Sequence, residues 1–321
     1  MTEPEGKPAG GRRLPRGGIA LVALLALLWG VNWPAIRISV AEISPWTFRT
    51  FCLVIAAATL FAVSAARGTR LFVPRRELAP LIVVSLLNVT GWHMLTAYGL
   101  TMIGAGRGVL LAFTFPLWSV LFGAVILRER ITAGRAVALL LGLCAMALLL
   151  GPEFRNVGRS PLGGLLLIGA AISWAAATVL MKRRDWSIGS GEMAAWQLAI
   201  GGLPVLIGTV LIDGVQDLGG VSMTAWAGLI YASVVAASFG QWVWFHILKI
   251  LPSAIASISS LAVPVVGVFS SGILLGEPIG WRELAALALV LAAMLLVLVG
   301  RNALRATIPP RGQGETARSS G

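Results

Sequence analysis

Ten long apolar segments cover nearly all of this chain and determine what it can fold into. A helix needs about 20 mostly apolar residues to cross the hydrocarbon core of a bilayer. Ten segments reach that length, at 18–36, 47–66, 78–98, 104–127, 131–150, 162–181, 191–212, 223–246, 254–275 and 281–300. The runs are too long for membrane strands and do not alternate with a period of two. The sequence therefore predicts an all-α membrane protein with ten transmembrane helices.

The composition excludes the soluble classes of protein. Hydrophobic residues make up 57% of the chain and charged residues 12%, whereas soluble globular domains carry about 25% charged residues. So few charges cannot cover the surface of a soluble enzyme, and they exclude a disordered chain as well. The net charge of +12 comes from short basic clusters between the apolar runs, so we expect no nucleic-acid partner.

The distribution of basic residues predicts the orientation of the chain in the membrane. If the N-terminus lies in the cytoplasm, 19 of the 25 Lys and Arg residues fall on the cytoplasmic side. Cytoplasmic loops of membrane proteins carry such an excess of positive charge. We therefore expect a multi-pass protein of the cell (inner or cytoplasmic) membrane with both termini in the cytoplasm.

Composition and spacing divide the chain into four parts. Residues 1–17 are predicted to be a disordered cytoplasmic N-terminus. The first apolar run is not followed by a small-residue cleavage site, so we interpret it as a retained helix and not a signal peptide. Residues 18–151 and 162–300 are each predicted to hold five helices, and residues 301–321 to form a cytoplasmic C-terminal tail.

The two five-helix segments resemble each other at an offset of 148 residues. Pro116 and Glu129 of the first segment align with Pro264 and Glu277 of the second. Because each copy has an odd number of helices, the second copy must lie in the opposite orientation. The result is an inverted repeat, an arrangement typical of secondary transporters.

Two stretches of sequence are similar to a known family. One is the run Trp29–Pro34, and the other is the pair of junctions in which Pro116 precedes Leu127–Thr132 and Pro264 precedes Leu275–Ile279. In these residues the chain resembles the EamA family of the drug/metabolite transporter superfamily, over about 19–300. The resemblance implies ten helices, a central substrate cavity between the repeats, and transport of small metabolites by alternating access.

We therefore expect a secondary transporter that exports amino acids or related compounds, with a small-molecule metabolite and the lipid bilayer as its partners. We expect no cofactor, no metal and no catalytic residue, and both a monomer and a homodimer stay open. A channel-like facilitator is the first alternative, since a channel also tolerates a neutral pore. An intramembrane serine protease is a remote alternative, because no nucleophile motif supports Ser119 near His93 or Ser238 near His246.

Polar side chains inside the spans are the candidate substrate-binding residues, because polar groups are costly within a membrane. No carboxylate lies at mid-depth, so we do not expect a proton relay built on one. At the offset of 148, His93 aligns with Gln241 and Tyr98 aligns with His246. An inverted repeat directs each pair towards one axis, although each side chain could instead bond only to a neighbouring helix.

Four further residues complete the predicted site. Asn32 lies beside Pro34, which removes one hydrogen bond from the first helix. Trp29 and Trp174 align at an offset of 145 and could stack on an apolar part of the substrate. Arg107 opens the fourth helix and could bind a substrate carboxylate through two hydrogen bonds. Packing is the alternative for both tryptophans, and lipid phosphate for the arginine.

The repeated junctions also predict hinges and caps. Pro116 and Pro264 are predicted to kink the fourth and ninth helices and to act as hinges. Glu129 and Glu277 are predicted to cap the start of the helix that follows each of them. Trp33 lies near a predicted span end and is interpreted as part of the interfacial aromatic belt.

Overall fold

The computed structural model describes residues 16–306 apart from 70, 156–160, 215, 241–242 and 244–252. Within these residues every regular element is a helix. The first half contains α1 (Arg16–Ser39), α2 (Pro45–Ala66), α3 (Arg75–Ser85), α4 (Trp92–Met102), α5 (Ala105–Ala112), α6 (Phe115–Ile126) and α7 (Ala133–Arg155). The second half contains α8 (Leu162–Lys182), α9 (Ser190–Gly208), α10 (Met223–Ile230), α11 (Ser253–Leu275) and α12 (Trp281–Ala306).

Seven described helical stretches are long and apolar enough to cross a membrane. They are Ala20–Ser39, Pro45–Ala66, Arg75–Met102, Ala105–Ile126, Ala133–Leu150, Leu162–Lys182 and Gly191–Asp213, and two shorter apolar stretches are Met223–Phe239 and Ala262–Leu275. The predicted all-α class is confirmed, whereas the count of ten helices in two inverted repeats stays a prediction. Of the predicted tails 1–17 and 301–321, residues 1–15 and 307–321 lie outside the described residues.

Serine residues begin two of the helices. The Ser44 hydroxyl accepts a hydrogen bond from the backbone N–H of Trp46 at 3.3 Å, and Pro45 occupies the first position of α2. The Ser222 hydroxyl caps α10 in the same way, through the N–H of Ala225 at 3.2 Å. Both residues satisfy N–H groups that a helix start leaves without an intrahelical acceptor.

Three stretches of π-helix interrupt the α-helical pattern. They are Leu86–Gly91 between α3 and α4, Thr209–Asp213 after α9, and Tyr231–Phe239 after α10. The offset of 148 places the first stretch on residues 234–239, inside the third. The Ser173 hydroxyl donates to the carbonyl oxygen of Leu87 at 2.7 Å, so a side chain of α8 bonds to the π-helical backbone. Such turns are frequent at functional sites.

Helices of the two halves pack against each other. α1 packs along α11 and α10, while α8 packs on α4, α5 and α6. α2 packs on α9, and α7 on α12. The contact between α1 and α11 requires a glycine, because a Cβ atom at Gly30 would lie 2.5 Å from the Cβ of Val266.

The two repeated junctions share an unusual backbone turn. Arg128 has a φ of 54° and Gly276 a φ of 64°, and the two residues align at the offset of 148. Glycine adopts this left-handed conformation freely, whereas a residue with a Cβ pays about 1–2 kcal/mol. Each turn places the glutamate that follows it, Glu129 or Glu277, at one end of the helix bundle. We call these ends the Glu129 end and the Glu277 end.

The expected role of Glu277 as a cap for the next helix is wrong. Its carboxylate accepts hydrogen bonds from the backbone N–H groups of Ala105 at 2.7 Å and Gly106 at 2.9 Å, so it caps α5 in the other half. The start of α12 is capped by its own Glu283, which accepts from the N–H of Gly280 at 3.0 Å. Glu277 caps α5 because the start of α5 lies close to the loop 276–280.

Arg107 and Glu283 add an ion pair at the same end, with Nε to Oε1 at 2.8 Å. A cavity of about 500 Å³ lies beside this pair and is lined by Met102, Gly104, Val268, Glu277 and Ile279. Further out, the hydroxyl and backbone N–H of Ser222 donate to the carboxylate of Glu42. These two bonds, the hydroxyl first, hold the pKa of Glu42 below its usual value.

The Glu129 carboxylate does not cap the next helix either. It pairs with Arg135 Nη1 at 3.1 Å and with Lys182 Nζ at 3.3 Å. The hydroxyl of Thr132 instead accepts from the N–H of Arg135 at 3.4 Å, in the first turn of α7. The arginine in that turn attracts the Glu129 carboxylate away from the backbone.

Candidate functional site

Five aromatic side chains form a closed cluster inside the bundle. Trp33 of α1 lies 6.4 Å from Trp92 of α4 and 6.3 Å from Phe113, measured between ring centroids. Trp174 of α8 lies 4.8 Å from Trp92 and 6.1 Å from Phe115, and the two phenylalanines lie 5.8 Å apart. These separations and tilts are those of attractive aromatic pairs. We call the five residues the aromatic cluster.

The aromatic cluster lies near the middle of the helix bundle, measured along the helix axes. Trp33 is six residues before the end of α1, about 9 Å from the Glu277 end, and Trp174 is twelve residues into α8, about 18 Å from that end. The hydrocarbon core is about 30 Å thick. Only Trp33 is fully buried, at 5% exposure, and the other four side chains are half-buried. These four side chains therefore keep part of their surface accessible.

The interpretation of Trp33 as an interfacial residue is wrong. α1 continues to Ser39, three residues beyond the predicted span end, so Trp33 lies almost one helical turn deeper than expected. Its ring packs on Trp92 and Phe113 inside the bundle.

A helix break supplies the two phenylalanines of the cluster. α5 ends at Ala112 and α6 begins at Phe115, and the hydroxyl of Thr114 donates to the carbonyl oxygen of Leu111 at 2.6 Å. Pro116 occupies the first turn of α6, where its missing N–H costs little. At Pro116 the predicted kink is therefore a break between two helices. At Pro264, by contrast, α11 continues without a break.

Unpaired polar atoms lie on the helices that carry the aromatic cluster. Among the residues that the structure describes, Asn32 Oδ1, His93 Nδ1 and Trp118 Nε1 are buried without a hydrogen-bond partner. Asn32 is the neighbour of Trp33 in sequence, and His93 is the neighbour of Trp92. A buried polar atom without a partner costs about 1–3 kcal/mol, so a polar ligand that bonded to these atoms would remove that cost.

A buried arginine lies close to the same helices and was not predicted as a site residue. Arg49 is 4% exposed and donates from Nε to the carbonyl oxygen of His93 at 3.0 Å and from Nη2 to the hydroxyl of Thr96 at 2.9 Å. Its guanidinium lies 5.2 Å from the ring centroid of Phe48. In the described part of the chain no Asp or Glu oxygen lies within 4.0 Å of it.

The sequence contains a signal for Arg49 that the predicted site does not use. Arg49 lies one turn inside an apolar helix. Its position close to the predicted start of the span led to its being grouped with the charges at the membrane surface. At the offset of 148 it aligns with Gln197, which is also buried, at 4% exposure, and whose Oε1 accepts from Asn88 Nδ2 at 2.7 Å. A polar residue repeated at the same position of both halves marks this location.

The remaining predicted site residues have separate surroundings. Trp29 donates from Nε1 to the carbonyl oxygen of Ala236 at 3.2 Å and packs on Leu25 and Leu28. Tyr98 packs in a different apolar cluster, with Leu53, Val89, Met94 and Val205. Gln241 and His246 lie outside the described residues. Of the eight predicted binding residues, the structure places Trp174 in the aromatic cluster, and His93 and Asn32 are sequence neighbours of two of its members.

Comparison with known proteins relates the chain to transporters. Residues 16–151 and 161–299 each match the EamA-like transporter family. The chain is 27% identical over 256 residues to the uncharacterized transporter YoaV of Bacillus subtilis, with 79% of this chain and 87% of the relative covered. It is 25% identical over 283 residues to the uncharacterized inner membrane transporter YedA of Escherichia coli, with coverage of 88% and 90%.

A further relative has a more specific description, and a solved structure has the same fold. The chain is 24% identical over 289 residues to a probable amino-acid metabolite efflux pump of Salmonella typhimurium, with coverage of 87% and 94%. A crystal structure that is 20% identical in sequence superposes with a TM-score of 0.62 and covers 90% of this chain and 98% of its own. At that identity the likeness concerns the fold alone.

Proposed function

Since the chain belongs to the EamA-like transporter family and is a multi-pass membrane transporter, we propose that it exports amino acids or related small metabolites as a secondary transporter. It acts by alternating access across the cytoplasmic membrane. The names of two relatives support this substrate class, since those of Salmonella typhimurium and Escherichia coli are both called probable amino-acid metabolite efflux pumps.

The observation that carries the proposal is the aromatic cluster near the middle of the helix bundle. Trp33, Trp92, Phe113 and Phe115 come from the first half of the chain and Trp174 comes from the second. Transporters built from inverted repeats bind their substrates near the bilayer midplane, at the interface between the repeats. The half-buried rings would hold the apolar part of a small solute, and the unpaired atoms on the same helices would bond to its polar part.

The ten-helix arrangement with both termini in the cytoplasm is part of the proposal. Contacts that occur in matching pairs support it: α1 packs on α11 as α8 packs on α5 and α6, and α1 packs on α10 as α8 packs on α3. The π-helical stretches and the left-handed turns at Arg128 and Gly276 also recur at the repeat offset. The excess of basic residues supports the orientation.

In this proposal the substrate contacts the aromatic cluster, His93 and Asn32, and the repeat adds Gln241 from the second half. Trp29, Tyr98 and His246 are kept as further candidate contacts. Pro116 and Pro264 act as hinges between the inward-open and outward-open states. Arg107 has an acidic partner in Glu283, so it does not supply the substrate contact that its sequence position suggests.

The experiment measures counterflow of each of the twenty amino acids, radiolabelled, into liposomes that contain the purified protein. Trp174→Ala, and a double variant with His93→Ala and Gln241→Ala, should lower the rate about tenfold or more, because each removes contacts with the substrate. Trp281→Ala is the control, since that tryptophan is 68% exposed at the start of α12.

Wild-type rates in the Trp174 variant and in the double variant would overturn the proposed site. Counterflow itself separates the mechanisms, because a carrier exchanges bound substrate across the membrane whereas a channel-like facilitator does not. Absence of counterflow with all twenty amino acids would overturn export of amino acids as the proposed function.

A further inference from the structure

We propose that Arg49 binds the carboxylate of the transported substrate, so that the substrate class is a carboxylate-bearing metabolite. This inference rests on the proposed function. It names a recognition residue that neither the resemblance nor the relatives assign.

The first argument is the set of hydrogen bonds that Arg49 makes. A guanidinium has five N–H donors, and the described contacts use one on Nε and one on Nη2. Both acceptors, the carbonyl oxygen of His93 and the hydroxyl of Thr96, are neutral. The described contacts leave the Nη1 group without an acceptor, so donors are available on the edge of the guanidinium that could bind a carboxylate in a bidentate manner.

The second argument is the burial of an uncompensated charge. Arg49 is 4% exposed within an apolar helix, and in the described residues no acidic oxygen lies within 4.0 Å. Arginine inside a membrane span normally pairs with an acid or lines a polar path. Arg107 shows the paired case in the same bundle, through Glu283 at 2.8 Å. A bound anion would complete the charge balance that the protein leaves open at Arg49.

The third argument is the position of Arg49 relative to the aromatic cluster. Its partner Thr96 lies four residues after Trp92 and therefore on the same face of α4. The hydroxyl of Thr96 lies 2.7 Å from the carbonyl oxygen of Trp92. Arg49 is the fifth residue of α2, about 6 Å from the start of that helix at the Glu277 end. A substrate with its carboxylate on Arg49 can therefore extend its side chain towards the aromatic cluster.

The test compares amino acids with their α-amides, in which a neutral carboxamide replaces the carboxylate. The probes are the twenty L-amino acids and their amides, with L-leucine and L-leucinamide as the reference pair. Affinity is measured as competition with counterflow. We expect wild-type protein to prefer L-leucine, and Arg49→Gln to lower its affinity about 10- to 100-fold while that for L-leucinamide stays unchanged.

Two variants keep the test decisive. Arg49→Lys retains the charge without the planar fork, so it should bind L-leucine with an affinity between those of wild type and Arg49→Gln. If Arg49→Gln does not fold, Arg49→Lys decides, and an unchanged ratio of the two affinities overturns the inference. Arg282→Gln is the matched control, an exposed arginine at the same end of the bundle that should keep the wild-type ratio.

A purely structural role for Arg49 has a different signature. It would lower the affinity for the amino acid and for its amide by the same factor, and that result overturns the inference while the proposed function stands. If wild-type protein shows counterflow but Arg49→Gln keeps the wild-type ratio, the inference fails alone. If wild-type protein shows no counterflow with any amino acid, both fail together.

Discussion

The two junctions at Glu129 and Glu277 have the same backbone turn but different partners. Glu277 lies across the interface between the halves and accepts two backbone N–H groups at the start of α5. Glu129 pairs instead with Arg135 and with Lys182, whose side chain is 52% exposed. Repeated sequence has therefore produced one turn twice, whereas the contacts at the two ends of the bundle differ in kind.

This difference indicates that the two ends are closed to different degrees. Hydrogen bonds from a helix start to a carboxylate are short, charge-assisted and directional, whereas an exposed lysine pair contributes little. A transporter with two alternating openings needs such inequality in any one state. At the offset of 148, Ala105 and Gly106 correspond to Ser253 and Ala254 at the start of α11.

The largest expected effect distinguishes the two glutamates. Glu277→Ala leaves two N–H groups of α5 without their acceptor and should lower the free energy of unfolding by about 1–3 kcal/mol. Glu129→Ala removes the exposed pair with Lys182, which contributes little, and leaves the buried Arg135 with its bond to the carbonyl oxygen of Arg130, so it should lower the free energy of unfolding by about 1 kcal/mol. Denaturant unfolding of the purified protein in detergent measures both. Equal losses would show that the two ends are equally closed.

A smaller effect separates the two left-handed turns. Arg128→Gly removes the cost of a Cβ at φ 54° and should stabilise the protein by about 0.5–1 kcal/mol, after the entropic cost of glycine is subtracted. Gly276→Ala should destabilise it by about 1 kcal/mol for the converse reason. Arg128→Ala keeps the strain and removes the side chain, so it is the control. An Arg128→Gly variant no more stable than Arg128→Ala would contradict the explanation.

The smallest effect compares the ion pairs at the two ends. A double-mutant cycle on Arg107 and Glu283 should give a coupling energy of about 1 kcal/mol, because Glu283 is largely buried. The cycle on Lys182 and Glu129 should give about 0.3 kcal/mol, since both side chains are accessible to water. The measurement is the midpoint of thermal unfolding in the four variants of each cycle. A larger coupling at Glu129 would reverse the order of the ends.

The fold class was predictable because apolar runs of about 20 residues recur along the whole sequence. The break at Phe113 and Thr114 and the π-helical stretches were not, since they depend on which backbone carbonyls find partners in other helices. Ser173, for example, bonds to Leu87 from a different helix. Length and polarity of a segment contain no information about such a contact.

The candidate site was predictable in part for a related reason. The inverted repeat directed attention to Trp174, which lies in the aromatic cluster, and to His93, which has a buried atom without a partner. Arg49 was missed because its charge lies one turn from a helix start, where most arginines reach water. Whether it does so depends on the packing of α4 against α2, and that packing exists only in the folded protein.

Because the stretch Leu86–Gly91 is π-helical, the number of residues in it sets the direction of the side chains that follow it. A π-turn holds one more residue than an α-turn, so it changes the angular phase of everything after it by about 100°. Trp92, His93 and Thr96 all follow it on α4. Loss of a single residue from this stretch would rotate all three away from their present neighbours without changing any of their side chains.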